Sequence, residues 1–240
     1  MSATPSNARR PLLLAVAAVL AAGCGNDKGS NPVITPLPEN STPAGALALF
    51  EKSYEQQNLA AYAKLLTTDF HFQFSAQSDP TLAALYGTSW GPVDETASAG
   101  HLFDGFTSAD PPYETFGPAT SITMSLVGPQ VLADSTHADS TAHYRVAIVP
   151  TVEVLITVVN SSIETTYEIS SPHDLYLVRG DAAALGAGQP ADTLHWYIRR
   201  WDDRSPAQVG VTSPTGQLVL ERVMPTRNKS WGSIKDQYRR

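Results

Sequence analysis

The apolar positions first recur at helical spacing and later alternate. Leu47, Phe50 and Tyr54 stand at i, i+3 and i+7, one face of a helix. Ser41 or Thr42 precedes that run, and Pro43 suits a first helical turn. Asn58 interrupts it, and Leu59, Tyr62, Leu65 and Leu66 predict a second short amphipathic helix. The period then drops to two. Phe70, Phe72 and Phe74 alternate with His71 and Gln73, which predicts a strand opening at Asp69 with one buried face and His71 pointing away from it. Residues 76–92 read as irregular, with Asp79-Pro80 and Trp90-Gly91-Pro92 as turn signals. Asp94 is expected to cap a third helix over roughly 95–106.

From Ala119 onward the chain reads as strands, at about 120–127, 129–134, 141–149, 151–159, 163–169, 173–179 and 193–202. Alternation is clear in Tyr144, Val146 and Ile148, and again in Leu194, Trp196 and Ile198. The run Val152 to Val159 is β-branched and strand-like. Gly180 to Ala191 is a Gly/Ala-rich loop. Trp231, Ile234 and Tyr238 share one helical face, which predicts a short docking helix. Helices followed by strands make the fold class α+β. No internal repeat is present.

The first residues are different in kind. Arg9 and Arg10 precede an apolar stretch from Pro11 to Leu20 with no acidic residue before it, the layout of a secretory signal. Its apolar core, Leu12 to Ala22, is eleven residues long, short of the ~20 a spanning helix needs. It ends Leu20-Ala21-Ala22-Gly23-Cys24. This resembles the lipobox of bacterial lipoproteins, with Ala21 where Leu is commoner. The resemblance implies a signal over 1–23, cleavage before Cys24, and a diacylglyceryl group on its thiol. Cys24 is the chain's one cysteine, so it has no disulfide partner within the chain, and lipidation gives the lone thiol a purpose. Acyl chains would hold the protein at a membrane. Residues 24–43 are small, polar and proline-rich, and are expected to form a tether. Gly25 rather than Asp follows the cysteine; the resemblance then implies the outer membrane if the cell is Gram-negative, and the cell envelope in any case.

Charge narrows the partners. The chain carries a net −7, and loss of the basic leader makes the remainder more acidic. That argues against nucleic acid, whose phosphates need a basic stripe. A hydrophobic fraction of 42% suits one globular domain behind the tether. The expected organisation is a domain over 44–204 and an extension over 205–240. Arg222, Arg227, Lys229, Lys235, Arg239 and Arg240 make that extension locally basic. It is expected to touch anionic headgroups, pack on the acidic domain, or stay solvated.

The order of elements, with Leu47-x-x-Phe50-x-x-x-Tyr54, Leu59-x-x-Tyr62-x-x-Leu65-Leu66-x-x-Asp69-Phe70 and the late strand Trp196 to Asp203, resembles the nuclear transport factor 2-like, or cystatin-like, superfamily. The resemblance covers roughly 42–204. It implies N-terminal helices packed in a strongly curved, mostly antiparallel sheet enclosing a cone-shaped cavity. Members include isomerases, dehydratases and polyketide cyclases as well as non-catalytic binding and assembly modules. Isomerase chemistry of that family needs an Asp base and a Tyr in an oxyanion hole. Those roles fall at Phe74 and Phe50 here, side chains that cannot move a proton.

His101 and Asp104 stand at i, i+3 on the third helix, where they would make a base and its orienter or an exposed pair. With Tyr54 they are the weak catalytic candidates. Trp196, Tyr197 and Trp201 beside Arg199 and Arg200 form either a ligand wall with a cationic handle, or core tryptophans with outward arginines; Trp196, Arg199 and Trp201 are the ligand-binding candidates. His137-x-Asp139-x-x-x-His143 has metal-binding residue types at unfixed spacing, so no metal and no cofactor is expected. No G-x-S-x-G, H-E-x-x-H or P-loop occurs. The leading expectation is a non-catalytic domain that binds a small ligand or a protein partner. The alternatives are a hydrolase, dehydratase or isomerase, and an assembly protein whose sheet face forms a homodimer.

Overall fold

Thr42 closes the first turn of a helix with its hydroxyl, which accepts from the Gly45 backbone N–H at 2.9 Å. In the computed structural model this is α1, Pro43–Glu55. The structure describes residues 36–77, 80–86, 89–108, 115–133, 144–160, 163–180, 185–206 and 226–239. The expected leader, Cys24, most of the tether and the His137–His143 constellation lie outside these residues. Every described residue from Leu37 onward belongs to one unit, 37–240.

α2, Leu59–Leu65, follows, capped by the Asn58 side chain on the Ala61 N–H. Gln57 joins the two helices at φ 52°, and its side chain donates to the Ala119 carbonyl at 3.0 Å. β1, Leu66–Gln73, carries Phe70 and Phe72 into the core with Phe74 just beyond its end, while His71 sits half-buried on the other face. The 76–92 stretch is more regular than its turn signals predict. It holds α3, Pro80–Tyr86, and β2, Ser89–Trp90. α4, Pro92–Asp104, starts three residues and ends two residues early; Pro92 presets the first turn, and Gly91, not Asp94, is its N-cap. Gly105 ends it at φ 74°, donating to the His101 carbonyl, where a Cβ would meet Pro118 at 2.8 Å.

Two short strands, β3 (Phe106–Thr107) and β4 (Thr115–Phe116), pair with each other. The main sheet then forms from β5 (Ala119–Ala133), β6 (Tyr144–Asn160), β7 (Ile163–Gly180) and β8 (Asp192–Asp203). The order is β2-β1-β8-β7-β6-β5. Pairs are antiparallel except β1 with β8, so the sheet is mixed and open. The short strands expected between 120 and 179 are continuous here. Pro150 falls at the expected break between 141–149 and 151–159. It lies opposite a register shift at Gly128–Pro129 of β5, so the irregularities of both strands fall together. The alternation at Tyr144, Val146 and Ile148 concerns side chains outside the described residues.

A second irregularity matters more. Leu177 pairs with Ile198 but Tyr176 pairs with Arg200, so Arg199 is extra. The bulge resets the alternation, and Trp196, Ile198 and Trp201 all become buried. β9, Thr226–Asn228, runs parallel to β7 at Thr166–Glu168, past the stretch that β8 covers. It leads into α5, Trp231–Gln237. Trp231, Ile234 and Lys235 are buried there, with Tyr238 behind them.

The core is aromatic. Phe50 meets Trp201 edge-on at 5.1 Å, and Tyr54 meets Tyr62 at 4.8 Å and Trp231 at 5.4 Å. Phe72 meets Trp201 at 5.3 Å. Each such pair adds about 0.5–1.5 kcal/mol beyond burial.

Candidate functional site

Helices α1, α2 and α4 and strands β2, β7 and β8 send polar groups into this aromatic interior, and α5 meets them there. Glu95 lies in the first turn of α4, 1% exposed. It shares the buried face with Ser98, Ala99 and Leu102, at i, i+3, i+4 and i+7. Its carboxylate accepts from the Trp90 indole N–H at 2.9 Å, from the Tyr62 hydroxyl, and from the Lys235 ammonium. Lys235 is 3% exposed. Its Nζ also sits 4.0 Å from the Phe72 ring centre and 3.9 Å from that of Trp201, so the cation is held by one carboxylate and two ring faces. Burial lowers its pKa to about 8, and Glu95 opposes that shift. Ser98 donates to the Lys235 carbonyl at 2.9 Å, tying α4 to α5 a second time.

Tyr54 and Tyr62 stand beside this pair. Burial, then the Glu95 charge, pushes both hydroxyls well above the ordinary tyrosine range. Neither is poised to lose a proton.

A second buried cluster abuts the first through Trp201. The Trp201 indole N–H donates to His173 Nδ1 at 2.9 Å. An indole nitrogen can only donate, so Nδ1 accepts and the neutral ring carries its proton on Nε2. That N–H faces the Ser171 hydroxyl at 2.9 Å. Ser171 and Ser205 share a hydrogen bond of 2.9 Å, and Ser205 donates to Asp203. Asp203 also accepts from the backbone N–H of Ser205 at 2.8 Å and of Gly232 at 3.2 Å, which brings α5 in again. Ser, His and Asp are thus assembled, but in the wrong sense for a nucleophile: the imidazole nitrogen facing Ser171 already holds a proton and cannot accept one. Burial lowers the His173 pKa to about 4, so the ring stays neutral.

The candidates from the sequence are dispersed. Tyr54 is in the interior, and His101 and Asp104 do not join it. His101 Nδ1 lies 2.7 Å from the Tyr238 carbonyl and its ring stacks on Phe106 at 4.3 Å. Asp104 is exposed at the end of α4. Trp196 and Trp201 are core side chains. Arg199 pairs with Asp69 at 2.7 Å on the rim, and Arg200 with Asp202 at 2.6 Å. Phe50 and Phe74 are buried. Glu95, Lys235, His173 and Asp203 carried no local motif. One signal was legible: Trp231, Ile234, Lys235 and Tyr238 fall at i, i+3, i+4 and i+7, which puts the lysine on the apolar face. Among the described residues, no group of three or more His, Cys, Asp and Glu side chains is placed to hold a metal ion. No described helix is long and apolar enough to cross a membrane.

No family model and no curated protein matches the chain. Solved structures do resemble it. A nuclear transport factor 2-like superfamily protein from Salmonella enterica is 12% identical, over 71% of this chain and 92% of that one, with a TM-score of 0.38. ActVI-ORFA from Streptomyces coelicolor is 13% identical, over 66% and 90%, with a TM-score of 0.40. The CamKII hub homology domain of Chlamydomonas reinhardtii is 12% identical, over 66% and 93%, with a TM-score of 0.35.

Proposed function

We propose that this chain is an envelope lipoprotein whose α+β domain, of nuclear transport factor 2-like architecture, binds a ligand or partner without catalysing a reaction. The observation that carries the non-catalytic part is the occupation of the interior by the protein itself. Trp231 and Lys235 of α5 take the space beside Tyr54, Tyr62 and Glu95, and Lys235 satisfies the Glu95 charge. A carboxylate already committed to three donors, next to two phenols with raised pKa values, has no proton chemistry left to offer a substrate. The Cys24 lipid and the envelope location rest on the lipobox pattern alone.

Two measurements test this reading. Mass spectrometry of the mature chain should find a diacylglyceryl group on Cys24, and Cys24→Ala should move the protein out of the detergent phase; an unmodified thiol overturns the anchor. Acrylamide quenching should find Trp90, Trp201 and Trp231 shielded. The competing reading is an enzyme whose interior opens when α5 withdraws, because Glu95, Tyr54 and Tyr62 do converge. Turnover of any small substrate by the full chain, abolished by Tyr62→Phe in a still-folded protein, would establish it and sink ours.

A further inference from the structure

A pocket of about 450 Å³ opens outside the closed interior, where the chain entering α1, the α1–α2 corner and the start of β8 come together. It exists because β1 reaches β8 only from Ile198 onward. Before that point Asn40 covers the β8 edge instead. Its carbonyl accepts from the Trp196 N–H at 2.8 Å, and its side chain donates to the Trp196 carbonyl at 2.9 Å. One residue makes a narrower edge than a strand, and the gap beside it is the pocket.

Its lining has two chemistries. Leu37 and Leu49 supply apolar wall, while Lys64, His195 and Tyr197 supply polar groups. No carboxylate is among the lining residues described, although the chain as a whole is acidic. Lys64 is exposed, and it makes no ion pair among the described residues. His195 is oriented from behind. Its Nδ1 lies 2.5 Å from the Asp192 carboxylate, which also accepts from the Tyr197 hydroxyl at 3.3 Å. A carboxylate can only accept, so Nδ1 carries a proton and Nε2 is the nitrogen left to meet a ligand. The size is that of a small-molecule site.

We propose that this pocket binds a small apolar carboxylic acid in its ionised form, its ring or chain against Leu37 and Leu49 and its carboxylate between the Lys64 ammonium and the His195 ring. An uncharged analogue of the same shape keeps the apolar contact and loses both polar ones. The proposal rests on the binding reading above and names its ligand class.

The test is isothermal titration calorimetry of the full chain with 1-naphthoic acid and with 1-naphthylmethanol, with a detergent-only titration subtracted. The acid should bind roughly tenfold tighter than the alcohol. Lys64→Met should weaken the acid about five- to tenfold and leave the alcohol unchanged. His195→Asn should weaken the acid a few-fold. Equal affinity for acid and alcohol overturns the proposal, as does an unchanged acid affinity in Lys64→Met or the absence of saturable binding. Those failures leave the non-catalytic reading standing. Appearance of a converted probe by mass spectrometry does the reverse: it overturns that reading while the affinities still support the pocket.

Discussion

His173 and His195 lie on neighbouring strands, each hydrogen-bonded near an aspartate and a hydroxyl, and they are opposites. His173 takes an indole N–H on Nδ1, which forces its proton onto Nε2. His195 gives its Nδ1–H to a carboxylate, which leaves Nε2 outside that bond. Burial depresses the pKa of the first to about 4 and keeps it neutral, while the second lies at the surface, a third exposed. The same residue types therefore give a structural core element in one place and a ligand-ready group in the other. The partner on Nδ1 and the access of water decide which, not the composition of the cluster.

The strongest way to break this contrast is to disturb the interior. Lys235→Met leaves Glu95 buried without its cation, and should cost about 3–5 kcal/mol in chemical denaturation. Adding Glu95→Gln should recover most of that loss; no recovery would mean the pair is not the cause. Next in size is acid. The unfolded chain takes up a proton on His173 near its ordinary 6.5, and the folded chain only near 4. Stability is full above about 6.5, falls by roughly 3 kcal/mol as pH drops to about 4, and levels below that. His173→Asn should flatten this window, whereas His195→Asn should leave it in place.

Trp201→Phe removes the donor that fixes the His173 tautomer, and should cost about 1–3 kcal/mol from that unpaired nitrogen alone. Imidazole nitrogen shifts in NMR would then report a changed proton position; an unchanged tautomer would show that Ser171 and Asp203 hold it instead. The smallest effect belongs to the rim. His195→Asn should move Tm by less than about 2 °C, and a larger drop would make His195 structural and erase the contrast.

Much of the scaffold was readable because it obeys short-range rules. Thr42-Pro43 marks a helix start by capping chemistry, and the alternation of Phe70, Phe72 and Phe74 marks a half-buried strand. The break expected at 150 is absent, and Pro150 lies opposite the partner strand's own irregularity at Gly128–Pro129. The interior was not readable for a different reason. Glu95 and Lys235 are 140 positions apart, and although Lys235 falls on the apolar face of its helix, nothing local pairs it with Glu95. The Arg199 bulge, which turns Trp201 inward onto His173, has no sequence signal that periodicity detects. Asp192-x-x-His195 was within reach, since the pair is three positions apart, but it sits at a strand start where spacing does not fix direction.

That distance of 140 residues also bears on how the chain is made. A ribosome delivers Glu95 long before it delivers Lys235, so the acid must wait, ionised and hydrated, until the last helix arrives. Until then Phe72 and Trp201 lack the cation that lies over them, and Tyr54 lacks Trp231. A chain that stops before α5 therefore leaves that aromatic face unfinished, within reach of chaperones and proteases.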